Sequence, residues 1–346
     1  MPRNVLSSPV ATHHHVELFT TAARLSGDGA HWIVPVHAWI YTPQHSRVRK
    51  AALAAILKAR LGIEATAATE ANFDRRANLL FADNHRRRRL RVVIAGGVHE
   101  LPPTSPNGHA RAEFQIPVGD VRSHGADGGL RVRLLLPDDD PRAIEGCALL
   151  VPPNGVSVIS DIDDTVKVSH VTDRARLMDA TLFRDFEAVP GMGAVYTGWA
   201  RRGVSIHFVS SSPWHLYAPL LEMLDAAGFP RATLDLKHIR LKDTTILDLF
   251  KDATKTKPPL IERLLAEFPA RRFVLVGDSG ERDPEIYAGL ARAHPGRIVQ
   301  ILIRDVTGAT ADDPRYRKVF AGWPSDRWQI FNDPGEISWR PSLSVI

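Results

Sequence analysis

The chain carries a single cysteine, Cys147, in 346 residues, so no internal disulfide can form and a reducing compartment is expected. No stretch reaches the ~18 consecutive apolar residues of a spanning helix. The first thirty residues lack the basic start and apolar run of a secretory signal. Charge of one sign is not in excess either. Forty-four Lys and Arg face 39 Asp and Glu, and a net charge of +5 tolerates acidic partners without demanding them. No repeat at a solenoid period is visible. What remains is ordinary globular composition, 44% hydrophobic and 24% charged, which excludes disorder and collagen. At roughly 100–200 residues per domain, the length suggests two. A soluble, cytoplasmic chain is the expectation.

The text up to residue 30 is polar and irregular, and His13-His14-His15 reads as part of a solvated tail. His31 to Tyr41 is rich in β-branched and aromatic residues and predicts a strand. Ser46 then precedes a helix with Val48, Ala52, Ile56 and Leu57 on one face, closed by Gly62. A second helical stretch ends near Leu80, after which period-two strands return at 90–96, 110–118 and 130–137. Residues 31–153 thus read as a mostly β, sandwich-like domain with a helical insertion. Beyond Pro152-Pro153, in 154–346, the pattern becomes strand, helix, strand, helix. The runs at 155–160, 204–210, 273–278 and 298–306 are short and almost wholly apolar. Such runs suit strands of a parallel sheet buried on both faces, in a Rossmann-like α/β domain. Helices are expected over about 212–227 and 258–268.

Four features fall at strand exits or helix starts of this second half, where an open parallel sheet places its ligands. The first is Asp161-Ile162-Asp163-Asp164-Thr165. Gathered carboxylates are costly unless a cation or a function compensates them. A calcium loop would need Gly and Glu where Val166 and Thr172 stand, so that reading fails, while an Asp-rich turn remains open. The second is Ser210-Ser211-Ser212-Pro213, in which Ser210 is expected to contact phosphate and Ser212 to cap a helix. The choice among the three serines stays open. The third is Lys257 at a helix start, where the helix dipole disfavours a cation and another interaction is expected to hold it; Lys251 and Lys255 lie nearby. The fourth is Gly277-Asp278-Ser279-Gly280, with Asp283 following. A protease-type serine nucleophile would need an antiparallel barrel, whereas Asp278 and Asp283 can complete an oxygen-ligand magnesium site with Asp161.

Taken in order, these features resemble the haloacid dehalogenase superfamily of phosphohydrolases. More narrowly, residues 161–307 resemble the phosphatidate phosphatase family first recognised in actin-patch-associated proteins. The strings that carry the likeness are SDIDDTVKVSHVTD, FEAVPGM, FVSSSPWHLYAPL, LKHIRLKD and FVLVGDSGERDPEIY. The resemblance implies a haloacid-dehalogenase-type catalytic domain with Asp161 as nucleophile and Asp163 as general acid/base. It implies Thr165, Ser210 and Lys257 around the phosphate, and magnesium held by Asp161, Asp163 and Asp278 with Asp283 and Asp164 in support. Pro258 and Pro259 directly after Lys257 depart from an ordinary helix start. Asp163, crowded by Asp161 and Asp164, is expected to stay protonated as a general acid requires.

The expected substrate is phosphatidate or a related lipid phosphomonoester. Soluble or polynucleotide phosphomonoesters are the alternative for the same site, and a lipid- or protein-binding module without catalysis is the non-enzyme alternative. Forty-five residues separate Thr165 from Ser210, and forty-five separate Ser212 from Lys257, which leaves room for a flap and only a minimal cap. Leu177, Met178, Leu182, Phe183 and Phe186 would form the flap, with Trp214 and Tyr217 on the rim; core packing is the competing role for each. The basic run from His85 to Arg91 can be a solvated loop or can meet anionic lipid, each cation adding about 1 kcal/mol. No transmembrane segment and no fold that reads nucleic-acid bases is expected, and peripheral membrane contact stays open.

Overall fold

The computed structural model describes residues 10–64, 66–238 and 253–341. The chain divides into two units, one comprising residues 1–45 and 81–152, the other 46–80 and 153–346. The helical stretch that interrupts the first unit in sequence therefore belongs to the second. Part of the LKHIRLKD string and Lys251 lie outside the described residues.

In chain order, the elements up to Val151 begin with β1 (His15–Leu18), β2 (Thr21–Leu25) and β3 (His31–Thr42). Next come the helices α1 (Arg47–Leu61) and α2 (Glu70–Leu80), then β4 (Asp83–Asn84), β5 (Arg91–Ile94), β6 (Gly97–Glu100) and β7 (His109–Pro117). The helix α3 (Val118–His124) leads to β8 (Gly129–Leu134) and β9 (Glu145–Val151). The strands form one mixed sheet in the order β1-β3-β2-β9-β8-β5-β6, with β4 and β7 also paired to β3. All of its pairings are antiparallel except β2 with β9. Alternate residues Val34, Val36, Ala38 and Ile40 of β3 point into the core of this unit with Leu90, Val92, Ile94, Leu130 and Val132. Two expectations fail here. The segment before residue 30 is not irregular, because β1 and β2 pair with the distant β3 and β9, partners that local pattern does not reveal. His14 is buried rather than in a solvated tail, its Nδ1 accepting from the Ala11 amide at 3.1 Å.

The second unit adds β10 (Val156–Ser160), α4 (Arg174–Leu182), α5 (Met192–Ala200), β11 (Ser205–Pro213), α6 (Tyr217–Ala226) and β12 (Thr233–Lys237). It continues with α7 (Ala253–Glu267), β13 (Arg272–Asp278), α8 (Asp283–Ala293), β14 (Ile298–Arg304), α9 (Pro314–Val319) and β15 (Trp328–Phe331). Its sheet runs β12-β11-β10-β13-β14-β15, parallel throughout. Every residue of β10 is buried, as a central strand of a doubly covered sheet requires. The exits of β10, β11 and β13 therefore lie side by side, carrying Asp161, the three serines and Asp278.

The helices differ from expectation in three places. Ser46 caps α1 through the Arg49 amide and Gly62 ends it in the left-handed conformation, as expected. Its buried residues, however, are Leu53 and Leu57, and Val48 and Ile56 face solvent. Ser212 is no helix cap. The strand β11 runs on through Pro213, and a single 3-10 turn (Trp214–Leu216) precedes α6. Lys257 sits a turn inside α7, which begins at Ala253 and contains both prolines.

The edge of the sheet away from the site is pinned by buried polar groups. Arg271, 1% exposed, donates from Nε to Ser157 Oγ at 2.8 Å and from Nη1 to the Asn154 carbonyl at 2.5 Å. His207 bridges Ser157 and Thr233 across β10, β11 and β12. Burial, with Arg271 and Arg263 nearby, pushes its pKa down to about 3. The unfolded chain takes up a proton at His207 below pH ~6.5 and the folded chain does not, so this residue's stability contribution is present above that pH and is lost on acidification. Urea unfolding at about pH 7.5 and about pH 5 is expected to show a stability loss some 2 kcal/mol larger in wild type than in His207→Gln. Equal losses would mean that His207 is not held neutral.

Candidate active site

The first acidic loop folds around its own amides. Thr165, Val166 and Lys167 amides all donate to the Ile162 carbonyl, and Asp164 adopts a left-handed φ of 54°. The Asp164 carboxylate accepts from the amides of Ser169, His170 and Val171 at 2.7, 2.9 and 2.6 Å. It is spent on holding the loop and does not crowd its neighbours. Three adjacent aspartates thereby point to three different sets of partners.

Asp161, 1% exposed, receives Lys257 Nζ at 2.9 Å on Oδ1 and Thr165 Oγ1 at 3.3 Å on Oδ2. The same ammonium donates to Asp283 at 2.6 Å and Glu281 at 2.8 Å. This is the interaction that holds Lys257 against the helix dipole, and Lys255, by contrast, is exposed. Burial opposes the ammonium, but Asp161, Asp283 and Glu281 together keep its pKa well above the ordinary lysine value. Burial pushes Asp161 well above the usual carboxylate range, with Lys257 working against the rise and Asp283, Glu281 and Asp278 adding to it. Asp278 is raised in the same way, by burial and then by Asp283. One ammonium is too little positive charge for this many desolvated carboxylates.

Ligand oxygens of Asp161, Asp278 and Asp283 lie within 4.8 Å of one another. Asp278 Oδ1 accepts from the Gly280 and Glu281 amides at 2.6 and 2.9 Å, while Oδ2 is buried with no hydrogen-bond partner. An orphaned carboxylate oxygen beside two further carboxylates fits a hard divalent cation with oxygen ligands. Gly277 makes this approach possible, because a Cβ there would stand 2.4 Å from Asp283 Oδ2. The neighbouring Ser279 hydroxyl is bonded to Asp305 at 2.9 Å and lies beside Thr307, the setting of a structural serine and not of a nucleophile with a histidine base.

Asp163 departs from expectation. Its Oδ1 takes Lys167 Nζ at 2.9 Å and Ser169 Oγ at 2.7 Å, and its Oδ2 takes Ser210 and Ser212 hydroxyls at 3.1 and 3.0 Å. Burial raises its pKa, but Lys167, Ser169 and Ser212 more than reverse that and bring it to about 2. The expected protonated acid is thus an ionised carboxylate, because a buried lysine stands where like charges were anticipated. Its carboxylate faces the serines and Lys167, whereas the grouped metal-type ligands are Asp161, Asp278 and Asp283. Ser211 is buried with an unpartnered hydroxyl. Lys167, Ser169, Glu281 and Ser212 were not anticipated at the site. A charged residue inside the alternation Val166-Lys167-Val168-Ser169 was the available signal for the first two.

The anticipated flap is packed instead of open. Leu177, Met178, Leu182 and Phe183 are buried, as are Trp214 and Tyr217, each 2% exposed; only Phe186 is half-buried. The reason is α2, which packs on α4 and on the turn after β11. Phe73 stacks on Phe183 with centroids 4.7 Å apart. Arg76, fully buried, donates to the Thr181 carbonyl at 2.8 Å and lies 4.0 Å over the Phe186 ring.

Buried carboxylates grouped for a cation, an adjacent lysine and a serine-lined strand exit define a phosphohydrolase-type site at the carboxyl end of a parallel sheet. Residues 156–305 match the family described as "Phosphatidate phosphatase APP1, catalytic domain". The Saccharomyces cerevisiae protein named Phosphatidate phosphatase APP1 is 33% identical over 181 residues, 51% of this chain and 30% of that protein. An uncharacterised Schizosaccharomyces pombe protein is 32% identical over 157 residues, 44% of this chain and 26% of that one. Among solved structures, a class C acid phosphatase from Bacillus anthracis is similar at a TM-score of 0.30 and 16% identity, covering 52% of this chain and 67% of that one. The second unit carries a catalytic domain of the APP1 phosphatidate phosphatase family, whose members are phosphoric monoester hydrolases. The chain spans less than a third of the length of either yeast relative.

Removing the ammonium leaves buried carboxylates uncompensated. Lys257→Met is expected to lower stability by roughly 3–5 kcal/mol without divalent ions, with part of the loss restored by magnesium. Denaturant unfolding with and without the ion checks this, and a loss under about 1 kcal/mol would contradict the ion-pair network.

Proposed function

We propose that the chain is a magnesium-dependent phosphatase of phosphatidate, or of a related lipid phosphomonoester, acting through an aspartyl-phosphate. The observation that carries this reading is the meeting of Asp161, Asp278, Asp283 and Lys257 within the segment that matches the family. Asp161 is the nucleophile: its carboxylate attacks phosphorus in line, the bond to the leaving alkoxide breaks, and one hard step becomes two. Asp161, Asp278 and Asp283 hold the magnesium ion, and the ion when bound offsets the repulsion between an anionic nucleophile and an anionic substrate. Lys257, Thr165 and Ser210 supply charge and donors to the transferring group.

Asp163 is the general acid/base. Ionised, it suits the second half-reaction, in which it draws a proton from the water that attacks the aspartyl-phosphate. For the first half it must carry a proton to the leaving oxygen. Ser210 and Ser212, which help keep it ionised, are the donors a phosphoryl group would claim, so substrate binding itself favours protonation of Asp163. Lys167 then restores the ionised state once product leaves.

Phosphate release from phosphatidate in mixed micelles is expected to exceed release from a panel of soluble phosphomonoesters, and the reverse order would favour a soluble substrate. Asp161→Asn is expected to abolish turnover and the initial burst on every ester. Asp163→Asn is expected to retain a burst on nitrophenyl phosphate, whose leaving group needs little protonation, and to stall afterwards. A burst in Asp161→Asn but none in Asp163→Asn would reverse the two roles.

A further inference from the structure

Among the described residues the large hydrophobic side chains exposed to solvent are Val48, Ile56 and Val98, and two of these three sit on α1. Val48 is 80% exposed and Ile56 45%. At about 100° per residue, Val48 and Ile56 share one side of the helix with Ala51, Ala52, Ala55 and Ala59, all of them exposed. The opposite side, with Leu53 and Leu57, is buried. Helices of globular proteins turn their apolar stripe inward. This one has two stripes, and the outer one has nothing on it.

The charge on α1 is of one sign. Arg47, Arg49, Lys50, Lys58 and Arg60 all belong to the helix, and it contains no Asp or Glu. Lys50 is committed inward to Asp74 at 2.7 Å, and Lys58 pairs with Glu64 at the surface, a contact of little strength. Arg47, Arg49 and Arg60 are exposed with no acidic partner among the described residues. By the same helical spacing, Arg47 and Lys58 border the outer apolar stripe on one side, and Arg49 and Arg60 border it on the other. An apolar strip with cations along both margins is the pattern of a helix lying flat in a bilayer interface. A protein partner would ask for an aromatic anchor at the centre of such a face, and none of its residues is aromatic.

We infer that the outer face of α1 docks on an anionic lipid surface, with Val48 and Ile56 entering the headgroup region and the flanking arginines meeting lipid phosphates. The hairpin of α1 and α2 belongs to the unit that bears the active site, and α2 packs directly on the segments that follow the first two motifs. Docking through α1 therefore brings the site's own unit to the membrane. Neither the helix face nor its test depends on the hydrolase reading above.

The test is co-sedimentation of the full chain with vesicles of phosphatidylcholine alone, or of phosphatidylcholine mixed with phosphatidylserine, so that no phosphatidate is present for the active site. Wild type is expected to pellet with the mixed vesicles and remain in solution with the neutral ones. Val48→Asp with Ile56→Asp is expected to abolish binding, and Arg47→Glu with Arg49→Glu to weaken it by at least roughly thirtyfold. Ala52→Leu is expected to strengthen it several-fold, a gain that a misfolded chain would not give. No binding of wild type to mixed vesicles, equal binding to neutral ones, or retention by both charge-bearing variants overturns the inference.

Discussion

The site depends on one buried ammonium. Lys257 stands among Asp161, Asp283 and Glu281 at 2.9, 2.6 and 2.8 Å, fully shielded from water. Carboxylates this close cannot all ionise in a dry interior unless cations stand among them. The lysine covers part of that deficit, and the unpartnered Asp278 oxygen marks what it leaves uncovered. The excess negative charge reads as a binding site for an ion, and with it the phosphoryl group, and not as a defect of packing. A second lysine, Lys167, performs a separate task a few ångströms of chain away: it keeps Asp163 ionised and apart from that deficit.

The parallel sheet was legible because its strands are buried on both faces and therefore nearly pure in composition. Asp161, Asp278 and Lys257 were legible because a charge at the exit of such a strand, or in the helix that precedes one, has no packing reason to be there. What sequence could not supply was the assignment of each carboxylate to its neighbours. Asp163 and Asp164 adjoin in the chain, yet the left-handed turn at Asp164 sends one to Lys167 and the other to loop amides. Adjacent charges do not crowd one another when the backbone turns between them. β1 and β2 escaped for a different reason, since strands of four and five residues carry too little alternation to stand out without their distant partners.

The helical insertion shows how burial and periodicity can disagree. Its first helix displays two apolar stripes, and spacing favours the one built on Val48, Ala52 and Ile56. The fold buries the other, through Leu53 and Leu57, because Lys50 on that side finds Asp74 of α2. The second helix then takes over a task that gap lengths had given to a flap. Phe73 and Arg76 pack on Phe183 and Phe186, so the aromatic residues beside the motifs become core. The cover over these segments comes from a stretch nearly a hundred residues earlier in the chain, and no count of residues between the motifs reveals it.

The central claim is that Asp161, Asp278 and Asp283 together bind a divalent cation that the fold has left room for. Calorimetric titration of the full chain with magnesium tests it most directly. Saturable uptake of a single ion is predicted, with protons released as the raised carboxyls of Asp161 and Asp278 ionise, and Asp278→Asn should abolish it while the chain stays folded. Uptake that is absent, or that survives in the folded Asp278→Asn protein unchanged, would contradict the account.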